Sequence, residues 1–126
     1  MGRKLDLFVI ILRFCIAVEV ELIFENMDIN QLKTINNEGK NRFELWVDGH
    51  LGRIEYIINK TGLIFLTHTE VDRPLEGKGV APKMVKDALQ YIQAHDLKLV
   101  PLCPYVAGYL KRHPEYHSLL AKGYNI

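Results

Sequence analysis

Six consecutive residues, Glu76-Gly77-Lys78-Gly79-Val80-Ala81, hold the residue types that a phosphate-binding turn requires. Two glycines one residue apart free the backbone of Cβ bulk, so a phosphate can approach main-chain N–H groups where a helix begins. The partial positive charge of that helix end favours an anion. Pro82 suits the first helical turn, where an N–H has no intrahelical partner. An ordinary strand-to-helix turn has the same spacing, so the run by itself leaves both readings open. It is not a P-loop, because only Lys78 separates Gly77 from Gly79. The dinucleotide fingerprint fails as well, since its third glycine would fall on Pro82.

Further along, Cys103 follows an apolar stretch and precedes Pro104. It reads either as a nucleophile or as a small buried hydrophobe. A free thiol is only a few per cent thiolate at neutral pH, so attack would need a cationic neighbour or the start of the helix that Pro104 opens. Tyr105 and Tyr109 share a helical face; each either presents a hydroxyl to a leaving group or packs as a core aromatic. His68 is a proton relay near neutral pH or hydrogen-bonded structure. Glu70 is a base acting through water or a surface carboxylate. His113 and His117 have the spacing of a metal pair on a helix, but Pro114 breaks the helix between them. No metal site is expected, and Cys15 with Cys103 cannot form one.

A chain of 126 residues is one domain with room for a core but not for an elaborate substrate module. Sixteen basic against fifteen acidic residues give a formal charge of +1, without the electrostatic footprint of a nucleic-acid binder. Two cysteines far apart argue against a disulfide framework and for a reducing, cytoplasmic compartment. Residues 1–26 stand apart. Their apolar run follows Arg3 and Lys4 as in a signal peptide, yet Arg13 interrupts it. The stretch 5–12 is far shorter than the roughly 20 residues a membrane span needs, and no small-residue cleavage site follows. Residues 17–24 alternate like a strand, and Met27 offers another start. The expectation is an N-terminal extension over 1–26, either a strand or a mis-assigned start, and a single domain over 27–126.

The elements that must position these groups follow from periodicity. Residues 42–47 alternate, with Phe43, Leu45 and Val47 on one side, and Asp48-Gly49 is a hairpin turn. Residues 51–58 and 63–68 are rich in β-branched and aromatic types and flank the turn Asn59-Lys60-Thr61-Gly62. An antiparallel meander over 43–71 is therefore expected. The period then changes: Ala81, Met84, Val85, Ala88, Leu89 and Ile92 form one helical stripe. Residues 97–102 return to strand, with Pro101 removing a ladder donor and suggesting an edge, a bulge or a place where pairing parts. A short second helix follows Pro104 and ends at His113-Pro114. The crossover helix makes the fourth and fifth strands parallel if they are neighbours. The fold expected is α/β (α+β): a mixed, mostly antiparallel sheet with the glycine turn at a strand-to-helix junction, where ligands bind.

His68-Thr69-Glu70-Val71, the Gly77-to-Ala81 turn, Cys103-Pro104-Tyr105 and His113-Pro114-Glu115-Tyr116 occur in this order and at these intervals. Together they resemble the GNAT superfamily of acetyl-coenzyme A dependent N-acetyltransferases, and within it a compact stand-alone family. The superfamily's cofactor turn is Gln/Arg-x-x-Gly-x-Gly/Ala before a helix. Here Glu76 stands in the first position, which touches a side-chain contact and not the backbone cradle. The resemblance covers residues 43–116, and 1–26 have no counterpart.

The resemblance implies acetyl-CoA lying where the sheet splays after the fourth strand. Its pyrophosphate would rest on the N–H groups of Gly77, Lys78, Gly79, Val80 and Ala81. Its pantetheine arm would pair with Thr69, Glu70 and Val71, and its thioester would lie near Cys103, Pro104 and Tyr105. The catalytic candidates are Cys103, Tyr105, Tyr109 and His68. Acetyl transfer needs a neutral amine, a stabilised carbonyl oxygen and a protonated leaving thiolate. At pH 7 an α-amino group is about one tenth neutral and a lysine far less. The function expected is N-acetylation of an amine, by direct attack or through acetyl-Cys103; a CoA-binding module without turnover is the alternative. The partners implied are acetyl-CoA and an amine acceptor. Few residues remain to wall off the acceptor, which leaves the groove open for a bulky substrate such as a polypeptide amine; the charge balance and the short apolar run argue against nucleic acid and membrane partners.

Overall fold

The computed structural model describes residues 29–124 and 126, so the expectations for residues 1–26 lie outside it. Five strands form one sheet in the order β1 (Ile35–Asn37), β2 (Arg42–Val47), β3 (His50–Ile58), β4 (Leu63–Val71) and β5 (Lys98–Pro101). Helix α1 (Val80–Ala94) carries the chain from β4 to β5, and α2 (Pro104–Arg112) follows. All neighbouring pairs are antiparallel except β4 with β5, which is parallel as a crossover demands. This is the mixed α+β architecture expected from the sequence.

Local chemistry sets the turns. Asp48 and Gly49 both have positive φ (50° and 76°), the pattern of a two-residue turn whose twist suits a hairpin. At the next turn the Asn59 side chain accepts from the N–H groups of Thr61 (3.0 Å) and Leu63 (2.9 Å). Strand β1 has no alternation to announce it. It exists because Asn37 caps a short 3-10 turn, accepting from Lys40 N–H at 3.2 Å, and Asn41 turns left-handed (φ 53°). That reversal lays Ile35 opposite Glu44.

The core lies on one face of the sheet. Phe43, Leu45, Ile54, Ile64, Leu66 and Leu99 pack with the apolar stripe of α1 and with Val106 and Leu110 of α2. The buried stripe of α1 begins at Val80 rather than at Ala81, which is only half-buried. The other face carries alternating charge. Arg42, Glu55 and His68 form one cross-strand row, and Glu44, Arg53 and Glu70 the next. Ion pairs knit it together: Arg42–Glu44 at 2.6 Å, Arg53–Glu55 at 3.5 Å, and Arg53–Glu70. Among the described residues no helix is long and apolar enough to cross a membrane.

Candidate functional site

A bulge in β4 decides which side chains face the site. Glu55 lies opposite His68, but Tyr56 lies opposite Leu66, so Thr67 is an extra residue without a partner of its own. Its hydroxyl donates to the Glu55 carbonyl at 3.2 Å. Before the bulge Ile64 and Leu66 face the helices; after it Thr69 does, opposite the fully buried Ile54. Simple alternation would have continued to His68. Instead His68 sits on the charged face, with Nε2 3.5 Å from Glu70, and Thr69 Oγ1 is hydrogen-bonded to Cys103 Sγ at 3.3 Å.

The sheet parts just there. The β4–β5 register ends at Leu66 opposite Pro101. One further link follows, Cys103 N–H donating to Leu66 C=O at 2.8 Å. Strand β4 runs on to Val71, so among the described residues the main chain of 67–71 has no strand neighbour on its β5 side. Cys103 is buried at the N-cap of α2, and Pro104 occupies that helix's first turn, where no donor is required. Tyr105 comes next, 36% exposed and facing the opening.

Across the opening, a 3-10 turn (Arg73–Leu75) leads into the glycine run. Gly77 (φ 75°) and Gly79 (φ 80°) both occupy the left-handed region that side chains disfavour. A Cβ on either would meet nothing within 4 Å, so backbone conformation, not crowding, requires glycine. Gly79 is the N-cap of α1, without a side-chain cap, and the first turn holds no acidic residue. The N–H groups of Val80 and Ala81 therefore begin a fifteen-residue helix with no side chain capping them. A cleft of about 390 Å³ joins these parts, lined by Val71, Leu75, Glu76, Gly79, Pro82 and Tyr105 among others. Uncapped amides, two positive-φ glycines and a positive helix end are a donor set that fits a diphosphate.

Gly52 is a positioning residue that the sequence reading missed. A Cβ there would lie 2.8 Å from Val80 Cγ1 and 2.9 Å from Met84 Cε. The bare backbone of β3 thus lets the start of α1 settle against the sheet, which sets the height of the glycine turn. A lone glycine inside a strand pattern was the available signal.

Val71, Gly77, Gly79, Val80, Ala81 and Tyr105 line one cleft. Thr69 and Cys103 each lie two residues from a lining residue and touch one another. Tyr109 is buried, its ring stacked 4.1 Å from that of His113. Burial pushes the hydroxyl pKa of both Tyr105 and Tyr109 above the ordinary tyrosine value. His113 Nδ1 contacts Glu115 at 2.9 Å, and His117 Nε2 contacts the Leu110 carbonyl at 2.6 Å. No group of His, Cys, Asp and Glu among the described residues is arranged to hold a metal ion.

Comparison with known proteins adds to this geometry. A family model described as GCN5-related N-acetyl-transferase matches residues 42–119. A protein of Xenopus tropicalis called Protein NATD1 is 30% identical over 97 residues, covering 73% of this chain and 87% of its own. The Mus musculus protein of that name is 27% identical over 85 residues, covering 66% and 77%. The Homo sapiens one is 36% identical over 52 residues, covering 41% and 46%. The matched segment spans β2 to β5, the crossover helix and the glycine turn, more than half of the chain, and the chain belongs to the GCN5-related N-acetyltransferase family.

Proposed function

We propose that the protein is a small acetyl-CoA-dependent N-acetyltransferase acting on an amine, with a polypeptide amine as the acceptor class. One observation carries the reading: the uncapped start of α1, preceded by two positive-φ glycines, opens onto the place where β4 and β5 part. Bound there, acetyl-CoA would supply an acyl group activated as a thioester. The N–H groups of Gly77, Gly79, Val80 and Ala81 would hold the diphosphate, and that of Lys78, which donates to the Leu75 carbonyl at 3.3 Å, would have to turn from it to join them. The main chain of Thr69, Glu70 and Val71, free of a β5 partner, holds the extended arm.

Tyr105 Oη holds its proton at neutral pH, as an ordinary tyrosine does, and burial raises its pKa further. It delivers that proton to the departing sulfur as the acceptor nitrogen attacks directly. Cys103 and Pro104 border the reacting end, and Tyr109 supports Tyr105 from one turn further along α2. The proton that the acceptor amine releases passes to solvent, because the bulge turns His68 to the charged face, away from the cleft. The two-cysteine composition supports a cytoplasmic setting.

A second reading, a CoA-binding module without turnover, rests on Glu76. That carboxylate lines the cleft where a diphosphate would lie. Melting the protein with CoA and with acetyl-CoA, then screening amines and peptides for CoA release, separates the readings. A higher melting temperature with release supports the transferase, and a shift without release across the panel supports the module. No shift at millimolar ligand contradicts both.

A further inference from the structure

Cys103 enters the proposed chemistry as a bordering group, yet the contact it makes with Thr69 has its own consequence. Past Leu66, the free end of β4 is joined to the chain after Pro101 by few bonds. Among the described residues, the Thr69–Cys103 hydrogen bond at 3.3 Å is the only one linking residues 67–71 to residues 102–112. It lies just beyond the last main-chain link, from Cys103 N–H to Leu66 C=O. Cys103 is also the N-cap of α2. Whatever fixes Cys103 therefore fixes the first turn of that helix, and with it Tyr105 at the cleft.

From this placement we propose that Thr69 is a positioning residue: its hydroxyl latches Cys103, setting how far β4 and α2 part and where Tyr105 stands. The bulge at Thr67 serves this arrangement, since it turns a hydroxyl rather than the His68 imidazole toward the thiol. A latch made by a thiol and a hydroxyl is weak enough to yield when the arm of a ligand enters, and directional enough to restore one spacing afterwards. The inference rests on the cofactor reading only for its ligand-binding arm.

Two measurements on the whole chain test it. Hydrogen exchange read by mass spectrometry follows, without any ligand, the amides of residues 107–109, the first that can bond within α2, where Ala107 N–H donates to the Cys103 carbonyl at 3.0 Å. Calorimetry with CoA reads the effect on the cleft. Thr69→Val, which keeps the volume and removes the hydroxyl, should speed exchange at 107–109 and weaken CoA binding by about threefold to tenfold. Thr69→Ser should restore both, a rescue that mere space-filling does not give, because serine lacks the methyl that valine keeps. Cys103→Ala should match Thr69→Val in exchange, and the double variant should be no faster than either alone. Unchanged exchange in Thr69→Val, or effects that simply add in the double variant, would overturn the latch. If wild type binds no CoA while exchange still follows this pattern, the latch stands and the cofactor reading fails.

Discussion

In the proposed transfer, Tyr105 is the side chain that protonates the leaving sulfur. It lines the cleft and has its pKa raised by burial, with the Arg112 charge opposing that shift. A hydroxyl serving as acid works while protonated, so its contribution should persist through neutral pH and fade only above the ordinary tyrosine range. Tyr105→Phe should leave CoA affinity near wild type and lower kcat by roughly a hundredfold or more. Steady-state kinetics across pH checks both: the alkaline limb of the wild-type profile should vanish in the variant. Cys103→Ala separates the routes of transfer. Near-normal turnover is expected from direct attack, whereas loss of turnover with intact binding, or an acetylated Cys103 by mass spectrometry, would favour the covalent route.

Tyrosines also tie stability to pH. Tyr56, Tyr105 and Tyr109 all have folded-state pKa values above 10.0, in each case chiefly through burial. The unfolded chain releases those protons first, so stability should be full below about pH 10 and fall as pH rises through the folded-state values. Melting curves between pH 8 and 11 (about the range in which tyrosine ionises) should show the fall, and Tyr109→Phe should soften it. Glu44 gives the acid side. Burial raises its pKa, but donors on Arg42, Asn37 and Trp46 outweigh that and leave it lowered. Its contribution is present above the ordinary glutamate value and lost as pH falls through the lowered one.

At the scale of elements, two glycines shape the start of α1 for different reasons, and the difference can be measured. Gly79→Ala meets no neighbour but must hold φ 80°, which should cost about 1–2 kcal/mol of stability. The same Cβ would stand beside any anion at the helix start, so CoA binding should weaken more than stability predicts. Gly52→Ala instead collides with Val80 and Met84. The Met84 terminus can swing aside, but the β-branched Val80 is stiff, so overpacking of about 1–3 kcal/mol is expected in denaturant melts. Because Val80 opens α1, CoA affinity should fall too, although Gly52 does not line the cleft.

How far sequence could reach is visible in these same elements. The α1 stripe and the Asp48-Gly49 hairpin were legible because periodicity and positive-φ residues are local signals. The parting at Pro101 was legible because proline lacks a donor. The Thr67 bulge was not: its cause is the register between β3 and β4, and alternation through His68 gives no hint of it. Strand β1 was missed likewise, since three residues paired through an Asn37 cap leave no period to read. The consequence for the site is specific. Sequence named Thr69, Cys103 and His68 together, but register puts Thr69 on Cys103 and His68 on the charged face.

For the whole molecule, the sheet divides the work. One face holds the core and both helices; the other pairs charge with charge across β2, β3 and β4. Partly exposed pairs of this kind contribute little each, so neutralising one, as in Glu55→Gln, should change the melting temperature only slightly. A ligand seated at the parting of β4 and β5 would instead touch the elements on both sides of it. At a CoA concentration one hundred times Kd the gain in stability would be about 2.7 kcal/mol, several degrees in the melting temperature of a domain this small.

The most direct measurement is a titration of the 15N-labelled protein with CoA, followed by amide NMR shifts. The account predicts that the largest shifts fall on Gly77, Lys78, Gly79, Val80 and Ala81, with smaller ones along residues 69–71. If those five amides stay unmoved at saturating or millimolar CoA, the glycine turn is not a diphosphate cradle and the proposed activity is contradicted.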